Sequence, residues 1–418
     1  MPVQRNTILS ITFRSILFVS WIHSSLATKV NGDHEIQKEE PIMTADTKDI
    51  IPCTTILSYA RNLFQETDPN NNDPRLLPSL QLNGEFEHAD FWEKNQKLLH
   101  KAWLCYDALI STETNVANEE DDDNVLLKLD RWIQPSLYDA VETLYKTDII
   151  TNSIEHSIHS HWSNIMDFSN FVRMEDIYTS QLLTMEGIRW IRSQLDLVDD
   201  SGIPTRRPNG MNRRGHIIDD TDCYLNPDDT DSYLSGSICL PPLNEFISTL
   251  VQKYIRPMGR MLFPKFVHVE DDCEMFAFTI RYDGENAQRN DTTQEEEKWK
   301  SIKDQKLSQH RDASVVTINI NLNLPEEDYT GSSLYFNMDK EQTNPTSTSN
   351  KNPQMVNVTM NPGSALFHRG SVPHGAYPID KGTRHNLIIW LFGKDGVVRS
   401  APYHKWEQTT VHERWQQT

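Results

Sequence analysis

The stretch His310-Arg311-Asp312-Ala313-Ser314-Val315-Val316-Thr317-Ile318-Asn319-Ile320-Asn321-Leu322 decides the architecture. From Val316 the apolar side chains Val316, Ile318, Ile320 and Leu322 alternate with Thr317, Asn319, Asn321 and Asn323, the period-two signature of a strand. Upstream, Phe276, Phe278, Ile280 and Tyr282 alternate with Ala277, Thr279 and Arg281 in the same way. Downstream, Leu334 to Phe336, Met355 to Met360, Ser364 to Arg369 and His385 to Phe392 follow, separated by Gly, Pro, Asn and Asp. Short strands in series predict an antiparallel sandwich or barrel. His385 to Phe392 is apolar on both parities, which predicts a central strand covered on both faces.

Ahead of the strands the period changes. Residues 51 to 174 read as helical, with apolar side chains at three- and four-residue spacing from Phe91 to Leu109 and from Val125 to Leu144. Glu175 to Leu197 and Leu243 to Leu262 read as further helices. The expected organisation is α+β, with an N-terminal address in residues 1–27 and a linker and helical region in 28–174. The domain carrying the chemistry spans 175–395, and 396–418 is a tail. Glu119 to Asp123, five acidic residues in a row, reads as a solvated loop. Asp68 to Asp73 lacks the central Gly of a calcium loop and is rejected as one. His156, His159 and His161 have no third ligand at a convincing interval.

Composition narrows the function classes. The 418 residues carry 40 Lys plus Arg against 60 Asp plus Glu, a net charge of −20 that argues against a nucleic-acid partner. Arg5 and Arg14 precede the apolar run Ile16 to Ile22, and small residues lead to Ala27. That pattern fits a secretory signal cleaved after Ala27. A retained signal anchor, which would bring the only membrane contact expected, and an organelle transit peptide fit it too. The expected location is the secretory pathway, in the endoplasmic reticulum lumen or outside the cell. Sequons at Asn290 and Asn357 are compatible with it, and Cys223 and Cys239 are a candidate disulfide that leaves Cys53, Cys105 and Cys273. Oligomeric state is not written in the sequence.

The chemistry gathers in the strand-rich half. Two imidazoles and one carboxylate on a single face bind Fe(II) and leave open positions for a chelating 2-oxo acid and dioxygen. His310 and Asp312 are two residues apart, so extended backbone projects them to one side. His374, within Gly370-Ser371-Val372-Pro373-His374-Gly375, supplies the distant imidazole. Arg384, in Gly382-Thr383-Arg384 at the head of the last strand, offers a planar fork for a distal carboxylate.

These residues resemble the Fe(II)/2-oxoglutarate-dependent dioxygenases, specifically the prolyl and lysyl hydroxylase-like branch with its procollagen-lysyl-type catalytic domain. The likeness rests on His310-Arg311-Asp312-Ala313-Ser314, Tyr329-Thr330-Gly331-Ser332-Ser333, Pro362-Gly363, His368-Arg369-Gly370, His374-Gly375-Ala376, Gly382-Thr383-Arg384 and Trp390. Arg207 to Arg213 is similar to a segment that precedes the barrel in related oxygenases. The resemblance implies a double-stranded β-helix, or jelly roll, with supporting helices. It implies His310, Asp312 and His374 as Fe(2+) ligands, with no catalytic group beyond the metal centre. Arg384 would hold 2-oxoglutarate and Tyr282 would line its pocket, a place that a plain core aromatic fills equally well. His368 is read as supporting the site. L-ascorbate is implied as the reductant, and a peptidyl proline or lysine as the substrate. The polar insertion from Asp283 to Gln309, read as an acidic loop in preference to a substrate-gating lid, and Gly331-Ser332-Ser333 in place of a run of glycines depart from that pattern.

Other classes fit less well. A secreted jelly-roll binding protein without turnover leaves the metal triad and Arg384 without purpose, and a zinc hydrolase leaves Arg384 so. Halogenation is disfavoured because Asp312 fills the position a halide needs.

Overall fold

The structure is a computed structural model. It describes residues 51–67, 89–117, 128–151, 177–206, 208, 211–212, 214–219, 236–267, 275–284, 304–327, 329–338, 355–392, 397–399 and 407–410. The acidic run at 119–123, the 68–73 segment, the histidines at 156, 159 and 161, Asn290, Cys223, Cys273 and the N-terminal address all lie outside them. So does most of the 283–309 insertion.

The N-terminal helices are α1 (Cys53–Thr67), α2 (Ala89–Ala117), α3 (Leu129–Trp132) and α4 (Pro135–Thr151). The helix expected from Val125 to Leu144 is therefore broken. Pro135 starts a new helix, where its missing N–H costs nothing, and Ile133 leaves the helical path to bridge Leu183. A disulfide between Cys53 and Cys105, two of the cysteines left over in the expected pairing, pins α1 to α2.

The expected helix at Glu175–Leu197 is corrected: it begins as strand β1 (Ile177–Gln181) and becomes helix only at α5 (Met185–Ser201). Ile177 to Gln181 pairs in register with the strand Ser364–Arg369, so tertiary pairing overrides the local pattern. Thr184 then caps α5, its side chain accepting from Gly187 N at 3.1 Å. After β2 (Ile217–Asp219), the helix expected at 243–262 forms as α6 (Pro241–Leu250), a π turn at Val251–Ile255 and α7 (Arg256–Leu262). Pro257, with no N–H to continue the α ladder, sits just past that π turn.

The remaining strands are β3 (Met275–Asp283), β4 (Leu307–His310), β5 (Val316–Asn321), β6 (Thr330–Gly331), β7 (Leu334–Asn337), β8 (Met355–Val358) and β9 (Ser364–Arg369). They continue with β10 (His374–Ala376), β11 (Ile379–Lys381), β12 (Thr383–Leu391) and the small pair β13 (Val397–Arg399) and β14 (Glu407–Thr410). One sheet has the order β1-β9-β5-β12-β3-β2, a second the order β4-β10-β7-β8. The chain alternates between them: β4 in the second, β5 in the first, β7 and β8 in the second, β9 in the first, β10 in the second, β12 in the first. That winding is a double-stranded β-helix, the jelly roll expected.

The large sheet is buried on both faces, as β12 at its centre requires. Leu387, Ile389 and Leu391 of β12, with Val316, Ile318 and Ile320 of β5, pack in one cluster with Leu99 and Trp103 of α2, Ile191 of α5 and Phe246 of α6. The opposite parity, Ile388 and Trp390, packs with Phe276, Phe278, Ile280 and Tyr282 of β3 inside the roll. Truncating Ile389 to Ala opens a hole between sheet and helices, and a loss of about 2–5 kcal/mol is expected in urea unfolding. A loss below ~1 kcal/mol would show that the helical layer does not cover this face tightly.

Candidate metal centre

His310 ends β4 and His374 begins β10, and the two are direct register partners across the antiparallel pair. Their imidazoles therefore lie on one face of the small sheet, with ring centroids 4.4 Å apart. Asp312 comes from the turn after β4, not from extended strand, and still reaches the same point. Its backbone N donates to Gly370 O at 3.0 Å, and Arg311 Nε donates to Ser371 O at 3.0 Å, tying that turn to the β9–β10 bend. Gly370 permits the approach, because a Cβ there would stand 2.1 Å from Ser314 O.

One ligand atom each from His310, Asp312 and His374 lies within 4.8 Å of the others, all three residues buried. The donor chemistry fits a divalent transition metal. Nδ1 of His310 donates to Ser308 O at 2.9 Å and Nδ1 of His374 to Val372 O at 3.0 Å. A carbonyl only accepts, so each Nδ1 carries the proton and each Nε2 offers its lone pair. Those Nε2 atoms stand 3.2 and 3.5 Å from the two oxygens of Asp312.

Electrostatics favour the metal-binding states of Asp312 and His374 but not of His310. Burial raises the Asp312 carboxyl, but the His374 and His310 imidazoles outweigh it and hold the group far below the usual carboxylate range. Burial pushes His374 down to about 3, so it is neutral. Burial also lowers His310, yet its hydrogen bond to Asp312 and the carboxylate charge turn the net shift upward.

Further groups orient this centre: Thr317 and Phe336, which the sequence did not single out, and His368, which it did. Thr317 Oγ1 donates to Asp312 Oδ2 at 2.5 Å and is bonded in turn to Ser314 Oγ at 2.7 Å. The signal was the polar parity of β5: Thr317 and Asn319 are buried and face into the roll, where Asn386 donates to Asn319 at 2.5 Å. His368, also buried, donates through Nδ1 to Arg369 O at 3.0 Å and points Nε2 at Asp312 Oδ2, 3.7 Å away. Phe336 stacks on His374 at 5.5 Å and fixes the ring.

Arg384 and Tyr282 are register partners across β12 and β3, both buried, with the guanidinium carbon 5.9 Å from the phenol ring centroid. Asn212, within the Arg207–Arg213 motif, donates to the Tyr282 hydroxyl at 3.2 Å. Burial pushes Tyr282 up to about 12, so its hydroxyl remains a donor. Together these side chains form a cationic, hydrogen-bonding end to the same interior.

Proteins of similar sequence carry oxygenase names. The chain is 25% identical over 271 residues to 2-oxoglutarate and iron-dependent oxygenase domain-containing protein 2 of Xenopus tropicalis, a match covering 65% of this chain and 64% of the relative. The Danio rerio protein of the same name is 28% identical over 221 residues, covering 51% and 49%. The chain thus has homologues named 2-oxoglutarate and iron-dependent oxygenase domain-containing proteins. The matches span 64% and 49% of the length of these curated relatives, less than two thirds in each case. No family model matches. Among solved structures, a Trichoplax adhaerens prolyl hydroxylase in complex with a hypoxia inducible factor oxygen degradation domain peptide fragment superposes with a TM-score of 0.36 at 12% identity, covering 59% of this chain and 96% of that one.

The shifts set a pH signature for this candidate metal centre. Metal must displace the proton that Asp312 stabilises on His310 Nε2, whose pKa lies above its usual value in the metal-free protein. Mn(II) affinity is therefore expected to fall about tenfold per pH unit below that pKa, with one proton released per ion in calorimetry across several buffers. A pH-independent affinity from pH 5 to 8 would show that His310 Nε2 is not a ligand.

Proposed function

We propose that the chain is an Fe(II)- and 2-oxoglutarate-dependent dioxygenase that hydroxylates an unactivated C–H bond, with a peptidyl proline or lysine as substrate. The observation that carries this is the buried convergence of His310, Asp312 and His374 beside Arg384 and Tyr282. When bound, ferrous ion would supply the redox chemistry that couples dioxygen to oxidation of 2-oxoglutarate to succinate and CO2.

The chain's own residues divide the remaining work. His310, Asp312 and His374 would hold the metal, while Thr317 fixes the carboxylate and the Ser308 and Val372 carbonyls fix the imidazole tautomers. Arg384 and the Tyr282 hydroxyl would receive the distal carboxylate. Charge arithmetic supports a dicarboxylate there. A divalent cation, ionised Asp312, cationic Arg384 and neutral His374 leave two positive charges in a buried volume, which a dianion cancels and a monoanion does not. The apolar lining by Phe276, Phe278, Ile388 and Trp390 keeps that interior poor in water.

The secretory pathway, with L-ascorbate as reductant, is the compartment proposed. The cationic and apolar N-terminal pattern supports it, as does the Cys53–Cys105 disulfide, since such bonds persist in oxidising lumens. A peptide or protein substrate accords with that location.

The expected outcome is succinate release from 2-oxoglutarate in the presence of Fe(II), abolished in Asp312→Ala and accompanied by one-oxygen mass gain on a substrate peptide. Succinate formation by the wild type no faster than by Asp312→Ala would favour a jelly-roll binding protein instead.

A further inference from the structure

Ser332 has φ of +54°, the left-handed region, and is the non-glycine residue there among the described residues. An L side chain in that region crowds its own carbonyl, whereas glycine enters it freely. The backbone has no room to relax. Ser332 N donates to Pro378 O at 2.8 Å, and Gly331, at φ +81°, pairs with Ile379 of β11. The side chain is buried, so solubility does not account for a serine in a glycine conformation.

What the serine contributes is a contact. Arg384 Nη1 donates to Ser332 O at 2.5 Å and to Ser332 Oγ at 3.1 Å. No other hydrogen bond of this guanidinium is found among the described residues. One amino group is thus tied into the β6–β7 bend by two acceptors, which fixes the plane of the fork and leaves its other nitrogens for a ligand. The carbonyl bond would survive in any residue. The hydroxyl bond requires a side chain, and hence the strained φ.

We propose that Ser332 is a positioning residue that holds a strained backbone so that its hydroxyl orients Arg384 toward the distal carboxylate of a five-carbon 2-oxo dicarboxylate. The inference rests on the oxygenase reading above and adds to it a trade between stability and cosubstrate affinity at one position.

Two variants, Ser332→Gly and Ser332→Ala, separate the terms, each assayed as the full chain. Thermal melting without metal reads the backbone, and calorimetric titration of 2-oxoglutarate with Mn(II) present reads the site. Ser332→Gly is expected to melt a few degrees higher and to bind 2-oxoglutarate roughly tenfold more weakly. Ser332→Ala is expected to lose roughly the same affinity without the gain in melting temperature. Mn(II) affinity is expected to stay at the wild-type value in both. Wild-type 2-oxoglutarate affinity in either variant overturns the inference alone, as does a Ser332→Gly protein that melts no higher than wild type. A wild-type protein that binds Mn(II) but no 2-oxoglutarate overturns the oxygenase reading and this inference together.

Discussion

The register between β4 and β10 is the constraint on which the centre depends. His310 and His374 are far apart in the chain but face each other across one antiparallel pair. Because side chains alternate with period two, a slip of one residue on either strand would send one imidazole to the opposite face. The pairing does not stand alone. β10 is also paired with β7, placing Phe336 opposite His374 and stacking the two rings. The turn holding Asp312 is bonded to the bend that leads into β10. Each ligand is therefore fixed by backbone that is itself part of a sheet or bonded to one, which keeps the geometry from depending on long side-chain reach.

Inside the roll, the inward parity of the large sheet interleaves hydrogen-bonding and apolar side chains. Trp390 stands opposite Thr317 and Ile388 opposite Asn319, while Asn386 and Arg384 lie farther along β12 toward its start. Polar groups buried in this way are costly unless paired: Thr317 bonds Asp312, Asn386 Nδ2 bonds Asn319 and Asn321 bonds Met360 O, while Asn386 Oδ1 is buried without a hydrogen-bond partner among the described residues. The fully apolar parity faces the helices. A single alternation thus encodes both a core and a site.

The jelly roll and the convergence of His310, Asp312 and His374 were legible in the sequence pattern. Alternation marked β3 and β5, double apolarity marked β12, and His-x-Asp followed by a later His and Gly-Thr-Arg marked the candidate centre. What was not legible depends on contacts across the fold. Ile177 to Gln181 is a strand only because β9 offers it an edge, and Pro135 divides α3 from α4 only because Ile133 finds a partner in Leu183. Thr317 as the clamp on Asp312, Asn212 on Tyr282 and Ser332 on Arg384 are side chains of ordinary type, given roles by neighbours distant in sequence. The Cys53–Cys105 bond escaped for the same reason, since cysteine spacing does not specify connectivity.

The helical N-terminal region also follows from the sheet. A jelly roll with one outer face made of Val316, Ile318, Ile320, Phe367, Leu387, Ile389 and Leu391 must be covered on that face, because a patch of contiguous branched and aromatic side chains is unstable in water. Helices α5 and α6 cover part of it. The same apolar cluster runs on without a break into Leu99 and Trp103 of α2 and Leu57 of α1, with Trp132 stacked on Trp190 at 4.0 Å between α3 and α5. One hydrophobic core thus joins helices before residue 152 to elements after residue 176. The helices ahead of the roll therefore pack into the same core as the back of the sheet whose front carries Thr317, Arg384 and Tyr282.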